Sequence, residues 1–281
     1  MQLSAPAKIN LSFKIHGARP DGYHEVETLM APISLCDRLT IESQSTASGI
    51  VFACDDASLP GDDDNLVMRA ACVFFAAAKI DSAVRITLEK RIPHGAGLGG
   101  GSSDAASTLL GLNQLFSADM GRDKLAELAA GIGSDVPFFI YESAATCRGR
   151  GELVTPSQLE KRLPILLLKP SFGVPTPSAF KRWKNSQEIP GISYEPQEFE
   201  GDCFVNDLER PVFEKYAFLA RMKSWLREQP EVGAALLSGS GSTVFAVLHD
   251  PNTAADLAIR ARAELDPELW SCGCETVTHP R

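Results

Sequence analysis

The sequence predicts a mixed α and β fold with antiparallel strands, arranged in two domains. Three observations predict it. Residues 7–16 alternate strictly, with Ile9, Leu11, Phe13 and Ile15 on one face and Lys8, Asn10, Ser12, Lys14 and His16 on the other, which is the period of a half-buried strand. Residues 65–79 and 105–116 carry their apolar side chains at helical spacing instead. Around residues 153–163 the pattern lapses into polar residues, and the apolar run 165–168 restarts it. That lapse places a boundary between a domain of residues 1–158 and one of residues 159–281.

The elements follow in order. After the first strand, Arg19-Pro-Asp-Gly-Tyr23 is a turn signal. A second strand is expected over 24–33 and a third over 38–43. Residues 43–63 are polar and read as loop. Leu66, Val67, Ala70, Ala71, Phe74 and Phe75 mark a helix over 65–79, and 84–91 alternates again as a strand. A glycine-rich run then leads into the helix 105–116. Another helix, 123–130, is stopped by Gly131 and Gly133. Residues 136–141 read as a strand, as do 165–168. A loop with Pro170, Pro175 and Pro177 precedes a mixed helical stretch to about residue 229. Apolar runs at 234–237 and 243–248 flank Ser238-Gly-Ser-Gly-Ser242, and a final helix over 253–265 precedes a short tail.

Bulk properties narrow the function. The 281 residues are 44% hydrophobic and 22% charged, ordinary for a globular chain, with a net charge of -9. Such an acidic chain repels nucleic acid and anionic membrane surfaces, so neither is expected as a partner. The oligomeric state is not readable. Seven scattered cysteines without a C-x-x-C argue for reduced thiols in a cytoplasm. Cys272-Gly-Cys274 is the only close pair. It reads as structural or incidental, because no partners for a metal can be placed beside it. No apolar segment opens the chain, so no signal peptide is expected. The longest apolar run, 163–168, is far too short to span a bilayer.

The most informative segment is Pro93-His-Gly-Ala-Gly-Leu-Gly-Gly-Gly-Ser-Ser-Asp104. Its glycines allow positive φ and close backbone approach, so that N–H groups point at an anion. A helix beginning at its end adds unpaired N–H groups and a positive dipole end. Ser102, Ser103 and Asp104 are suitable N-cap residues. The implied ligand is a phosphate. Residues 95–100 formally match the dinucleotide fingerprint G-x-G-x-x-G, but the preceding strand is amphipathic and Pro93-His94 separates it from the glycines. A Rossmann strand is apolar on both faces. No lysine follows the glycines as a P-loop requires, and the H-R-D and D-F-G motifs of protein kinases are missing.

Pro93–Ala106 resembles the phosphate loop of the GHMP kinases. Pro6-Ala-Lys-Ile-Asn10, Arg19-Pro-Asp-Gly-Tyr-His24, Gly133-Ser-Asp-Val-Pro137 and Ser238-Gly-Ser-Gly-Ser-Thr-Val-Phe245 extend the resemblance. Asp64-Asn-Leu66 and Pro175-Thr-Pro177 also fit. Together they resemble the branch that phosphorylates the 2-hydroxyl of a CDP-bearing methylerythritol at the expense of ATP. His94 and Ala18 depart mildly from that pattern, where Met and a second basic residue are more frequent. The resemblance implies a ribosomal-protein-S5-like N-terminal domain, a ferredoxin-like C-terminal domain and a site in the cleft between them.

Roles follow residue by residue. Asp135 is the candidate base; without the resemblance it reads as a turn or N-cap carboxylate. Lys8 is its candidate partner, otherwise a solvated strand lysine, and Asn10 on the same face is placed to bond the acceptor polyol. Pro93, His94, Gly95, Ala96, Gly97, Leu98, Gly99, Gly100, Gly101, Ser102 and Ser103 would hold the ATP phosphates. Asn65 and Lys90 would contribute to the adenosine pocket. The resemblance implies Tyr23, His24 and Phe180 as readers of the cytosine. Mg²⁺ accompanies ATP in such reactions, and Ser102 or Ser103 would approach it, with the full ligand set left open. Rival readings are a GHMP kinase for another small alcohol of the homoserine or mevalonate type, a non-catalytic nucleotide sensor and a nicotinamide dehydrogenase.

Overall fold

The computed structural model describes residues 1–44, 49–60 and 64–278. The chain opens with a long hairpin of β1 (Gln2–Ala18) and β2 (His24–Gln44). Its tip is closed by Arg19 N–H donating to the Tyr23 carbonyl at 2.7 Å and by Tyr23 N–H donating to Asp21 at 3.1 Å. The two strands expected over 24–33 and 38–43 are one continuous strand, because β1 is long enough to pair with all of it. Register shifts between Pro6 and Lys8 and between Asn10 and Ser12 bracket the residues that matter most. The half-buried reading of β1 fails at its centre: residues 7–11 are all buried. Their polar side is covered by two loops rather than by water.

β3 (Ile50–Cys54) lies in the segment expected to be loop and pairs parallel to β4 (Ala83–Glu89). The rest of that expected loop falls partly on 45–48 and 61–63, outside the described residues. α1 (Leu66–Ala78) is capped by Asn65, whose side chain accepts from Val67 N–H at 2.9 Å. α2 (Gly100–Leu115) and α3 (Arg122–Ala130) follow. The strand expected over 136–141 is instead the short helix α4 (Val136–Ile140), with every residue buried and Pro137 in its first turn. A continuous apolar run of this length does not distinguish a buried strand from a buried helix. Pro137 lacks a backbone donor, which the first turn of a helix tolerates.

β5 (Ala145–Gly149) and β6 (Leu153–Pro156) form a hairpin on β2. β7 (Pro164–Lys169) and α5 (Thr176–Trp183) come next. The stretch expected to be helical also contains a small hairpin, β8 (Gln197–Phe199) and β9 (Asp202–Asn206), before α6 (Glu209–Lys215) and α7 (Ala217–Arg227). β10 (Val232–Leu237), β11 (Val244–Leu248), α8 (Ala254–Glu264) and β12 (Trp270–Glu275) complete the chain. The expected tail therefore holds a sheet strand.

The first sheet runs β3-β4-β2-β1-β9-β8, with β5 and β6 attached to β2. The second runs β10-β11-β7-β12, all antiparallel. α1 to α4 cover one side of the first sheet through Phe74, Leu109 and Phe138. α6 to α8 cover the second sheet through Phe213, Leu226 and Leu257. Between the sheets Ile9, Leu11 and Ile33 meet Leu167, Leu236 and Phe245, so the two halves share a core. Among the described residues no helix is long and apolar enough to cross a membrane.

One buried ion pair supports the second half. Lys223 on α7 donates to Glu209 on α6 at 2.5 Å and to the Ser193 carbonyl at 2.8 Å. The other Glu209 oxygen accepts from Leu237 N–H at 3.0 Å. Burial pushes the Glu209 carboxyl up, with Lys223 opposing it. Lys223→Met leaves that carboxylate buried without its cation, and about 3–5 kcal/mol of stability should be lost. Urea unfolding measures this; a loss under about 1 kcal/mol would mean that Glu209 finds water or a proton at little cost.

Candidate active site

A cavity of about 980 Å³ opens where the centre of β1, the loop before α2 and the loop between β10 and β11 converge. The bulges in β1 let the chain turn Lys8 and Asn10 into it. Lys8 Nζ donates to Asn10 Oδ1 at 2.7 Å and stands 3.5 Å from Asp135 Oδ2. Asn10 in turn donates to Thr28 Oγ1 at 2.8 Å, and Thr28 donates to the Ser12 carbonyl at 2.7 Å. This relay fixes which face of the Asn10 amide meets Lys8. The Lys8 side chain is 5% exposed, whereas that of Asp135 is 37% exposed. The lysine is therefore held from below and the carboxylate faces the cavity. Asp135 occupies the N-cap position of α4 but makes no side-chain cap bond, so its oxygens are uncommitted to the helix.

The glycine run forms the adjoining wall. Gly95, Gly97 and Gly99 have φ of 63°, 77° and 70°, in the left-handed region. Gly99 is the N-cap of α2, one turn earlier than the serines suggested. Ser102, Ser103 and Asp104 thus lie inside the helix, not at its cap. Ser102 lines the cavity; Ser103 is fully buried, and its hydroxyl lacks a partner. The loop is stitched to the second glycine loop: Ser238 Oγ donates to the Gly97 carbonyl at 3.0 Å and Thr243 N–H to the Ala96 carbonyl at 3.1 Å. Lys8 N–H donates to the Leu98 carbonyl at 2.9 Å, joining β1 to the same loop. A Cβ on Gly239 would stand 3.3 Å from Asn10 Oδ1 and 3.4 Å from Lys8 Nζ. The second loop therefore packs directly over the Lys8–Asn10 pair.

Lys90 and Asn65 line the cavity with their polar groups already engaged. Lys90 Nζ donates to Asp37 at 2.5 Å and to Asp104 at 2.8 Å, and Asp37 also accepts from the N–H groups of Arg91 and Ile92. Burial opposes the Lys90 charge, yet Asp104 and Asp37 outweigh it and hold its pKa above the ordinary lysine value. Burial pushes Asp104 up to about 7, with Lys90 pulling the other way. A carboxyl raised this way favours the folded state while protonated, and that contribution fades as the pH climbs from about 4 towards 7. The cluster clamps the start of α2 to β2 and β4. Asn65 Nδ2 donates to the Pro60 carbonyl at 2.8 Å, beside its capping bond.

At the other end, Tyr23, His24 and Phe180 line the same cavity. The His24 and Phe180 rings are 5.3 Å apart, and Trp183 meets His24 edge-on at 5.8 Å. The Arg150 guanidinium sits 4.8 Å over the Tyr23 ring. Of the expected site residues only Ser103 stays off the cavity wall. Sequence reasoning missed Arg150, Thr176 and Ser240, all of which line it. Arg150 had a signal: it stands between Gly149 and Gly151, both at positive φ. Thr176 and Ser240 hydroxyls meet at 2.7 Å, a contact between distant segments that no local pattern announces.

Comparison with known proteins decides the family. The GHMP kinases N terminal domain matches residues 65–143, and the GHMP kinases C terminal domain matches 196–266. The chain belongs to the GHMP kinase family. A curated relative from Methylacidiphilum infernorum, 4-diphosphocytidyl-2-C-methyl-D-erythritol kinase, is 45% identical over 270 residues, covering 95% of this chain and 93% of the relative. A crystal structure of 4-(cytidine 5'-diphospho)-2C-methyl-D-erythritol kinase superposes with a TM-score of 0.81 at 37% identity, over 99% of this chain and 100% of that one. Homoserine kinase from Cytophaga hutchinsonii, at TM-score 0.70 and 16% identity over 100% and 95% of the two chains, shows the shared fold alone. This GHMP kinase therefore has the two-domain α+β architecture of the family.

Proposed function

We propose that the chain transfers the terminal phosphoryl group of ATP to the 2-hydroxyl of 4-(cytidine 5'-diphospho)-2-C-methyl-D-erythritol, a step in the non-mevalonate route to isoprenoid precursors. The observation that carries this reading is the Lys8–Asp135 pair at 3.5 Å, set between a glycine-lined wall and an aromatic one. The names of the relatives supply the acceptor. The domains are assigned as residues 1–158 for the nucleotide and 159–281 for the second lobe. The scattered cysteines support a cytoplasmic setting.

The chemistry follows from the wall assignments. The ATP phosphates lie against the N–H groups of the loop and the N-terminus of α2, where the dipole favours negative charge. Asp135 accepts the proton of the acceptor hydroxyl as its oxygen bonds to the γ-phosphorus and the bond to the β-phosphate oxygen breaks, releasing ADP. Lys8 offsets the charge on the transferring group. No cluster of three His, Cys, Asp or Glu stands ready for a metal among the described residues. That suits a Mg²⁺ held chiefly by the nucleotide phosphates, with the Ser102 hydroxyl on the cavity wall as a protein donor; the ion would neutralise phosphate charge.

A coupled ADP-release assay tests the reading, offering the CDP-methylerythritol acceptor beside homoserine, mevalonate and galactose. Turnover with the cytidine compound alone is expected. Turnover with another acceptor would keep the kinase and discard the cytosine pocket, and ATP binding without turnover would favour a nucleotide sensor. Phe180→Ala should raise the acceptor KM by roughly 5–150-fold, the value of about 1–3 kcal/mol for an aromatic stacked on a base. The KM for ATP should stay put. An unchanged acceptor KM would remove Phe180 from base recognition.

A further inference from the structure

The proposed acceptor carries a diphosphate between its cytosine and its methylerythritol, and a chain with a net charge of -9 must meet those anions with a local cation. Four lysine and arginine side chains line the cavity: Lys8, Lys90, Arg150 and Lys181. Lys8 is committed to Asn10 and Asp135, and Lys90 to Asp37 and Asp104. Lys181 is exposed on α5, one residue past Phe180. Arg150 alone lies between the aromatic wall and the candidate base. It stands in the turn between β5 and β6, and the pairing of Gly149 with Val26 sets that turn beside the tip of the β1–β2 hairpin. On one side its guanidinium is 4.8 Å over the Tyr23 ring. On the other, a Cβ on Gly151 would stand 3.6 Å from Asp135 Oδ1. The diphosphate must cross that interval if the base end meets Tyr23 and the 2-hydroxyl meets Asp135.

We propose that Arg150 binds the diphosphate of the acceptor and so selects a cytidine diphosphate over the free nucleoside. This rests on the acceptor proposed above. Glu152 steadies the arginine without occupying it: one carboxylate oxygen accepts from Arg150 N–H at 2.6 Å, and the other stands 3.6 Å from Nε. Among the described residues the guanidinium itself makes no hydrogen bond, and the side chain is 31% exposed. Its paired terminal N–H groups match two phosphate oxygens in geometry as well as charge. Lying on the Tyr23 ring holds the guanidinium plane in place, so little side-chain freedom is lost when the phosphates arrive.

Calorimetric titration of the full-length protein with CDP and with cytidine tests this, in the presence of a saturating non-hydrolysable ATP analogue that fills the nucleotide wall. Arg150→Ala should weaken CDP binding roughly 10–150-fold, the range for hydrogen bonds to a charged group, and leave cytidine within about twofold. Arg150→Lys should recover part of the loss, since it keeps the charge without the fork. Equal weakening of CDP and cytidine would overturn the proposal and leave Arg150 as a support for Tyr23. Unchanged CDP binding in Arg150→Ala would overturn it as well. A parent protein that binds neither ligand would instead remove the cytidine acceptor, and the role of Arg150 with it.

Discussion

Asp135→Asn should lower kcat by roughly 10²–10⁴-fold, the worth of a positioned acid–base group. The amide keeps the shape of the carboxylate but cannot accept the acceptor's proton. Little else should change. Asp135 makes no cap bond to α4, and Lys8 retains Asn10 at 2.7 Å when its 3.5 Å ionic neighbour is neutralised. The melting temperature and the KM for ATP should therefore hold. Steady-state rates at saturating ATP provide the check, and a variant within about threefold of the parent would take Asp135 out of the proton transfer.

Gly97→Ala should be nearly as damaging for a different reason. A Cβ there would stand 2.2 Å from the Ser238 carbonyl oxygen and 2.9 Å from that of Gly241. Both are backbone atoms, so no side chain can rotate away. A φ of 77° adds a conformational cost of about 1–2 kcal/mol for any residue with a Cβ. The two loops must separate, and the bonds from Ser238 and Thr243 that set the curvature of the phosphate loop are lost. Since the loop N–H groups act as preorganised donors, kcat/KM for ATP should fall roughly 10²–10³-fold, the usual cost of losing such a donor. Gly95→Ala is the control: its φ is also positive, but nothing lies within 4 Å of the added carbon. Equal losses in both variants would mean that backbone strain, not contact with the second loop, sets the geometry.

Much of this molecule was legible in the order of its residues. Helical spacing and glycine stops located α1, α2 and α3, and alternation located residues 7–16 of β1 and most of β4, because those elements keep a face on the core. The failures share a cause. α4 is buried all round, so its five residues carry no periodicity at all. β3, β8 and β12 are short or lie at sheet edges, where pairing with a distant partner replaces any strong local preference. At the site, the glycines were readable from their own chemistry, and the polar pair on β1 only through the family resemblance. The engagement of Lys90 by Asp37 and Asp104 was not, because the three come from separate segments. The meeting of Thr176 with Ser240 was hidden for the same reason.

The parallel pairing of β1 with β9 joins Ser12 to Val205 and Phe13 to Asn206. During synthesis, therefore, β1 leaves the ribosome long before β9 and waits for it. At about 5–20 residues per second, roughly 10–40 s pass between the appearance of β1 and that of its second neighbour. Until then its free edge is a template for pairing with other chains. A fragment ending at residue 158 never receives that neighbour. It should be prone to aggregate on expression, although it carries the whole glycine loop, and supplying residues 159–281 in trans should restore solubility.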